Sequence, residues 1–274
     1  MTIDIDDLYP HLSALAKSQN KTLNRFGKGA HNPHKNYLGL GDCCWFILNK
    51  RPRCRSGDPY NYLATLDECV KISSQTESRE LWRKLVKGGH STFLDTVVEA
   101  AWAIYFKGKD CMVQLEVPLP GSEKKADFMV TIHGKRWWLD AFSIGAEKLG
   151  PPGQTTGMPS VGRRGLDAVV SELATKAREK YDRKFKDCVR SGLLDASSRV
   201  GVLMCVLKRV QSIIPPFIPQ LMDGNEVQTP AGLFDNEHPG LDLVWGHSLI
   251  PLVGSEILKP WTVCKWVRND RAEI

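Results

Sequence analysis

No apolar run in this chain approaches the ~20 residues that span a bilayer, and Met1 to Asp7 carries acids where a secretion signal carries bases. The expectation is a soluble, cytoplasmic protein without a membrane partner. Paired C-x-x-C and H-x-x-x-H spacings are missing too, although His31, His34, Cys43, Cys44 and Cys54 crowd one region, so a structural zinc is the lesser reading there. Eight cysteines in 274 residues, several of them inside apolar runs (Cys111, Cys205, Cys264), read as reduced, buried small hydrophobes rather than a disulfide framework. Internal repeats and low-complexity tracts are absent as well.

Acids are scarce in one place. Between Lys17 and Arg55, nine lysines and arginines face a single acid, Asp42, whereas the whole chain is only mildly basic at +6. Phe26, Tyr37, Trp45 and Phe46 are interleaved with those cations. That mixture suits phosphate neutralisation with base stacking, and equally a solvated basic surface. Candidate nucleic-acid contacts here are Lys28, Lys35, Arg51 and Arg53. The length fits one catalytic domain with appendages. We expect a basic helical region over 1–88, an α/β core over 89–210 and a C-terminal extension over 211–274 packed on that core.

The periodicity predicts a helix over Asp6 to Lys17, then helical segments from Tyr62 to Lys87 with a break at Ser73 to Ser78. Ser91 or Thr92 is placed to cap the next helix, with Asp95 completing a Thr-x-x-Asp box. On that helix Asp95, Glu99, Trp102 and Phe106 share one face, with Thr96, Ala100 and Lys107 on a small, exposed side. A carboxylate in line with two large aromatics needs a partner, either a metal ion or a cation such as Lys or Arg. Cys111 to Val117 then alternates as a strand with Glu116 on its polar face, and Ala126 to His133 and Arg136 to Ile144 form a hairpin turning at His133-Gly134-Lys135. Asp140 interrupts an otherwise apolar run, so it must be compensated or functional.

The order of these elements and acids resembles the PD-(D/E)XK nuclease superfamily, the restriction-endonuclease-like fold. Its pattern is a helix with a glutamate, a hairpin with an aspartate, and a strand carrying D/E-x-K. Glu99 matches the helix acid, Ala126-Asp127-Phe128 the hairpin aspartate, and Trp138-Leu139-Asp140-Ala141-Phe142-Ser143 the last strand. The match covers about residues 91–207. It implies a mixed central sheet flanked by helices, and a magnesium- or manganese-dependent endonuclease in which Asp127, Asp140 and Glu99 hold the ion; Glu116, on the polar face of the neighbouring strand, either joins them or is merely exposed. It also implies a nucleic-acid substrate, DNA ahead of RNA, and a host-defence or mobile-element setting. A homodimer or a partner subunit would suit cleavage of both strands.

The chain departs from the pattern at Phe142, which stands where the family carries the lysine that polarises the attacking water. Family members move that lysine to other elements. On the following helix, Leu166 to Lys186, Lys176 and Lys180 lie at the edge of the apolar stripe, and we assign the catalytic role to Lys176; for either lysine, a stem packed on the core with the ammonium in water is the structural alternative. Lys124 and Lys125 are further substitutes. The loop Gly145 to Gly165, with Arg163 and Arg164 at its far end, is placed either to close on a nucleic-acid backbone or to run over the surface. Val200 to Leu207 reads as a central strand and Pro260 to Val267 as a last one. Two alternatives stay open: a nuclease-fold protein that binds nucleic acid or scaffolds a complex without cutting, and a protein-interaction module whose acids pair with nearby cations.

Overall fold

The computed structural model describes residues 3–28, 39–50, 58–87, 90–109, 111–144, 163–195, 197–206, 229–230, 232–251 and 255–268. By internal contacts the chain divides into two compact units, Met1–Gly108 with Leu249–Pro260, and Lys109–Ser248 with Trp261–Ile274. The division falls after the helix that carries Glu99, about twenty residues beyond the boundary at 88 expected from composition.

The first unit is built from α1 (Ile5–Leu8), α2 (Pro10–Ser18), α3 (Leu23–Lys28), α4 (Leu40–Leu48), α5 (Pro59–Ile72), α6 (Gln75–Lys87) and α7 (His90–Lys107). The expected helix from Asp6 to Lys17 is broken in two. Pro10 occupies the first position of α2, where its missing N–H costs nothing, and Tyr9 before it is non-helical at φ −128°, ψ 72°. Asp6 therefore does not serve α2 as a terminal charge alone. Its carboxylate accepts from Ser13 Oγ (2.6 Å), Leu23 N (3.1 Å) and Asn24 Nδ2 (2.7 Å), tying α1, α2 and α3 together. Asp58 and Pro59 start α5 in the same way, with Tyr60 N donating to Asp58 Oδ1 at 3.0 Å. The break between α5 and α6 is a capping box: Ser74 N donates to Glu77 Oε2 (2.8 Å), and Glu77 N donates to Ser74 Oγ (3.3 Å).

In α7 the expected cap is displaced, because Ser91 and Thr92 lie inside the first turn and Thr92 O accepts from Thr96 Oγ1 at 2.6 Å. Thr96 and Ala100, expected on an exposed side, are buried. Their small size marks close packing rather than a solvent face.

The sheet comprises β1 (Met112–Pro118), β2 (Lys125–Ile132), β3 (Lys135–Ile144), β4 (Arg199–Val206), β5 (Leu241–Pro251) and β6 (Leu258–Val267), in that spatial order. β1, β2 and β3 are antiparallel neighbours, and β3, β4 and β5 run parallel, so the fold is α/β with a mixed, open sheet. His133 and Gly134 both have positive φ, as a two-residue hairpin turn requires. Between β3 and β4 the chain forms α8 (Arg163–Lys184) and α9 (Lys186–Arg190). Leu173, Ala177, Tyr181 and Phe185 pack on Trp138, Val200, Val202 and Met204 of the sheet, which orients α8 against the face of β3 that carries Asp140. α8 starts at Arg163, so Arg163 and Arg164 belong to its first turn rather than to a loop; their side chains lie outside the described residues.

β5 went unread in the sequence, since Asp242, Gly246 and His247 interrupt its apolar residues, yet its first eight residues are all buried. His247 is fully buried, and burial pushes its imidazole from 6.5 down to about 3. Below pH 6.5 the unfolded chain therefore binds a proton that the fold refuses, so this contribution to stability is complete above 6.5 and is lost as pH falls. Between pH 6.5 and 5 it amounts to about 2 kcal/mol. Urea unfolding over that range is expected to show the slope in the wild type and to lose it in His247→Gln; an unchanged slope would contradict the assignment.

Candidate functional site

The antiparallel register Phe128↔Leu139, continued by one step, sets Asp127 across from Asp140 on the face that meets α8. Asp140 is completely buried and Asp127 is 9 % exposed. Two lysines one turn apart on α8 reach this pair. Lys180 Nζ lies 2.7 Å from Asp140 Oδ2, and Lys184 Nζ bridges Oδ1 of Asp140 and Oδ1 of Asp127, the latter at 3.1 Å. The lysine stems are mostly buried, at 18 % and 17 % exposure.

The two acids are compensated differently. Asp127 Oδ2 also accepts from Ala141 N at 2.8 Å. Neither oxygen of Asp140 accepts a conventional hydrogen bond among the described residues, so its compensation comes from the two ammonium groups. Lys180 stands 5.0 Å from the centroid of the Phe142 ring, within reach of a cation–π contact. Phe142 thus helps seat Lys180.

A third carboxylate adjoins the pair. Glu116, between the pairs Leu115↔Phe128 and Val117↔Ala126, stands across β1 from Asp127, and their carboxylates come within 4.8 Å. Its φ of +56° is left-handed, which costs a non-glycine residue about 1 kcal/mol in the middle of a strand. Strict alternation would have turned this side chain outward, yet its Oε1 is buried. Carboxylate oxygens fit a hard divalent cation such as magnesium or manganese; in this unit Asp127 is the acid that meets both others, Glu116 within 4.8 Å and Asp140 through the shared Lys184.

Other residues named from the sequence fall elsewhere. Lys176 is not brought to the acids: one turn before Lys180, its ammonium pairs with Glu179 (2.8 Å) and Glu172 (3.9 Å) on the outer side of α8. Lys124 pairs with Asp187 at 3.7 Å. Lys28 is exposed at the end of α3 in the first unit, while Lys35, Arg51 and Arg53 lie outside the described residues. Glu99 belongs to the first unit, where Lys84 Nζ sits 2.6 Å from its Oε2 and both side chains are about five-sixths buried. Lys84→Met, which takes the ammonium from that carboxylate, is expected to cost about 1–3 kcal/mol in denaturant unfolding, with much of the loss recovered in Lys84→Met/Glu99→Gln. Equal losses in the single and double variants would show the pair to be uncoupled.

Lys184 was missed because the sequence places three lysines, at 176, 180 and 184, along one side of a helix and says nothing of which turn faces Asp140. Its spacing of four residues from Lys180 and eight from Lys176 was the available signal. Compared with family models, curated proteins and solved structures, the chain matches none.

Proposed function

We propose that the protein is a metal-dependent nuclease with a restriction-endonuclease-like core, and that Asp127 and Asp140, joined by Glu116, form its cation site. The observation that carries this reading is the convergence of Lys180 and Lys184 on the two aspartates that the resemblance assigns to the metal. The motif lysine absent at position 142 has a counterpart on α8. A bound magnesium or manganese ion would activate a water and offset charge at phosphorus. In this account Asp127, held by Ala141 N–H, and Asp140 orient the ion, while Lys180 supplies positive charge toward the scissile phosphate. The chain's net charge of +6 and its basic stretch over 17–55 favour a polyanionic substrate, DNA ahead of RNA. Host defence or a mobile element is the setting we infer from the resemblance alone. The test is cleavage of single- and double-stranded DNA and of RNA with magnesium or manganese, and its loss with chelator.

One observation favours a second reading. Asp140 is wholly buried and already paired with two ammonium groups, an arrangement that is complete without a metal. A nuclease-fold protein that binds nucleic acid without cutting would keep such a cluster for stability, and its binding would survive Asp127→Ala and Asp140→Ala.

A further inference from the structure

The two lysines do not make equivalent contacts. Lys180 meets Asp140 at Oδ2 and rests against Phe142. Lys184 takes Oδ1 of both acids at once. Asp127 Oδ2 is already engaged by Ala141 N–H, so Oδ1 is the oxygen it has left to share with Asp140. A divalent ion held by both aspartates needs the oxygens that Lys184 holds, because hard cations bind carboxylate oxygens at about 2.0–2.1 Å and leave no room for an ammonium between them.

Resting on the reading of Asp127 and Asp140 as cation ligands, we propose that Lys184 is the built-in stand-in for the metal. Its ammonium keeps the two buried carboxylates paired in the metal-free protein and yields their shared oxygens when the ion binds, while Lys180 stays on Asp140 Oδ2. Two features make the exchange feasible. Lys184 is the last residue of α8, so a released ammonium can turn to the carbonyl end of that helix, where positive charge is favoured. Its side chain also retains some solvent access, at 17 % exposure, so the charge need not cross a dry core. Lys184 is then a positioning residue, and the cost of displacing it sets the metal affinity.

The experiment is calorimetric titration of the full chain with manganese alone, for wild type, Lys184→Met and Lys180→Met at one pH and ionic strength, alongside thermal midpoints with and without the ion. Lys184→Met is expected to bind manganese about tenfold more tightly than wild type or better, because the ion no longer displaces a charge in contact with both ligands. Its midpoint falls without metal and rises further on adding manganese than that of the wild type. Lys180→Met changes affinity by less than about threefold, since its contact does not compete for the shared oxygens. Lys184→Gln, which retains a polar donor, is titrated in parallel and is expected to tighten in the same direction, which covers the case in which methionine prevents folding. Manganese binding by the wild type with equal or weaker binding by the Lys184 variants overturns the exchange and leaves the metal site standing. Equal tightening in the Lys180 and Lys184 variants also overturns it, by showing only a general charge effect. Absence of binding by all folded proteins overturns the metal reading itself, and the exchange with it.

Discussion

Asp140→Ala is expected to eliminate cleavage, by about three orders of magnitude or more, and to lower stability by about 3–5 kcal/mol. Both effects have one cause. Asp140 has no exposure and is the counter-ion of Lys180 and shares Lys184 with Asp127, so its removal takes a carboxylate from the proposed cation site and leaves two ammonium groups short of their acid. Asp140→Asn separates the two losses in part: the shape is kept, the charge is not, and cleavage falls as far while packing is preserved. Denaturant unfolding beside a single-turnover cleavage assay reads both. A variant that folds with wild-type stability would contradict the ion pairing drawn here.

The second large effect is on the helix. Lys180→Met is expected to reduce cleavage by about 10²–10³-fold, the range for losing one preorganised charge at a developing anion. Lys176→Ala is expected to stay within about twofold of wild type, because its ammonium pairs with Glu172 and Glu179 on the outer side, where exposed pairs contribute little. The converse pattern would return the catalytic role to Lys176. Phe142→Lys in the Lys180→Met background extends the comparison: a lysine restored to β3 is expected to recover part of the lost rate, since Lys180 already lies against the ring at that position.

Much of the central architecture could be read from residues. Period-two alternation and the His133-Gly134 turn give the β2–β3 hairpin, the apolar run from Val200 gives β4, and Asp140 stands out as an acid inside a buried strand. What escaped was set by relations between distant segments. The turn of α8 that faces Asp140 follows from how Tyr181 and Phe185 seat the helix on Trp138 and Val202, and three lysines at fourfold spacing look alike until that seating is known. Glu116 could be read only as joining the acids or lying exposed, because alternation puts it on the polar face and carries no sign of the left-handed backbone found there. β5 escaped because its polar residues are compensated from elsewhere: Arg268 Nε, for instance, lies 3.7 Å from Asp242, a pairing across 26 residues that no local pattern announces. Pro10 shows the opposite case, a local signal outweighed at first by an apolar stripe running through it.

The most direct test is cleavage by the purified wild-type chain of single-stranded DNA, double-stranded DNA and RNA, with magnesium or manganese and with chelator, beside Asp127→Ala. The account predicts that at least one substrate is cut, that cutting stops on chelation, and that Asp127→Ala is inactive. A folded wild type that cuts none of them, yet binds nucleic acid with a salt-sensitive affinity unchanged in Asp127→Ala, would contradict it and leave a nucleic-acid-binding protein that does not cut.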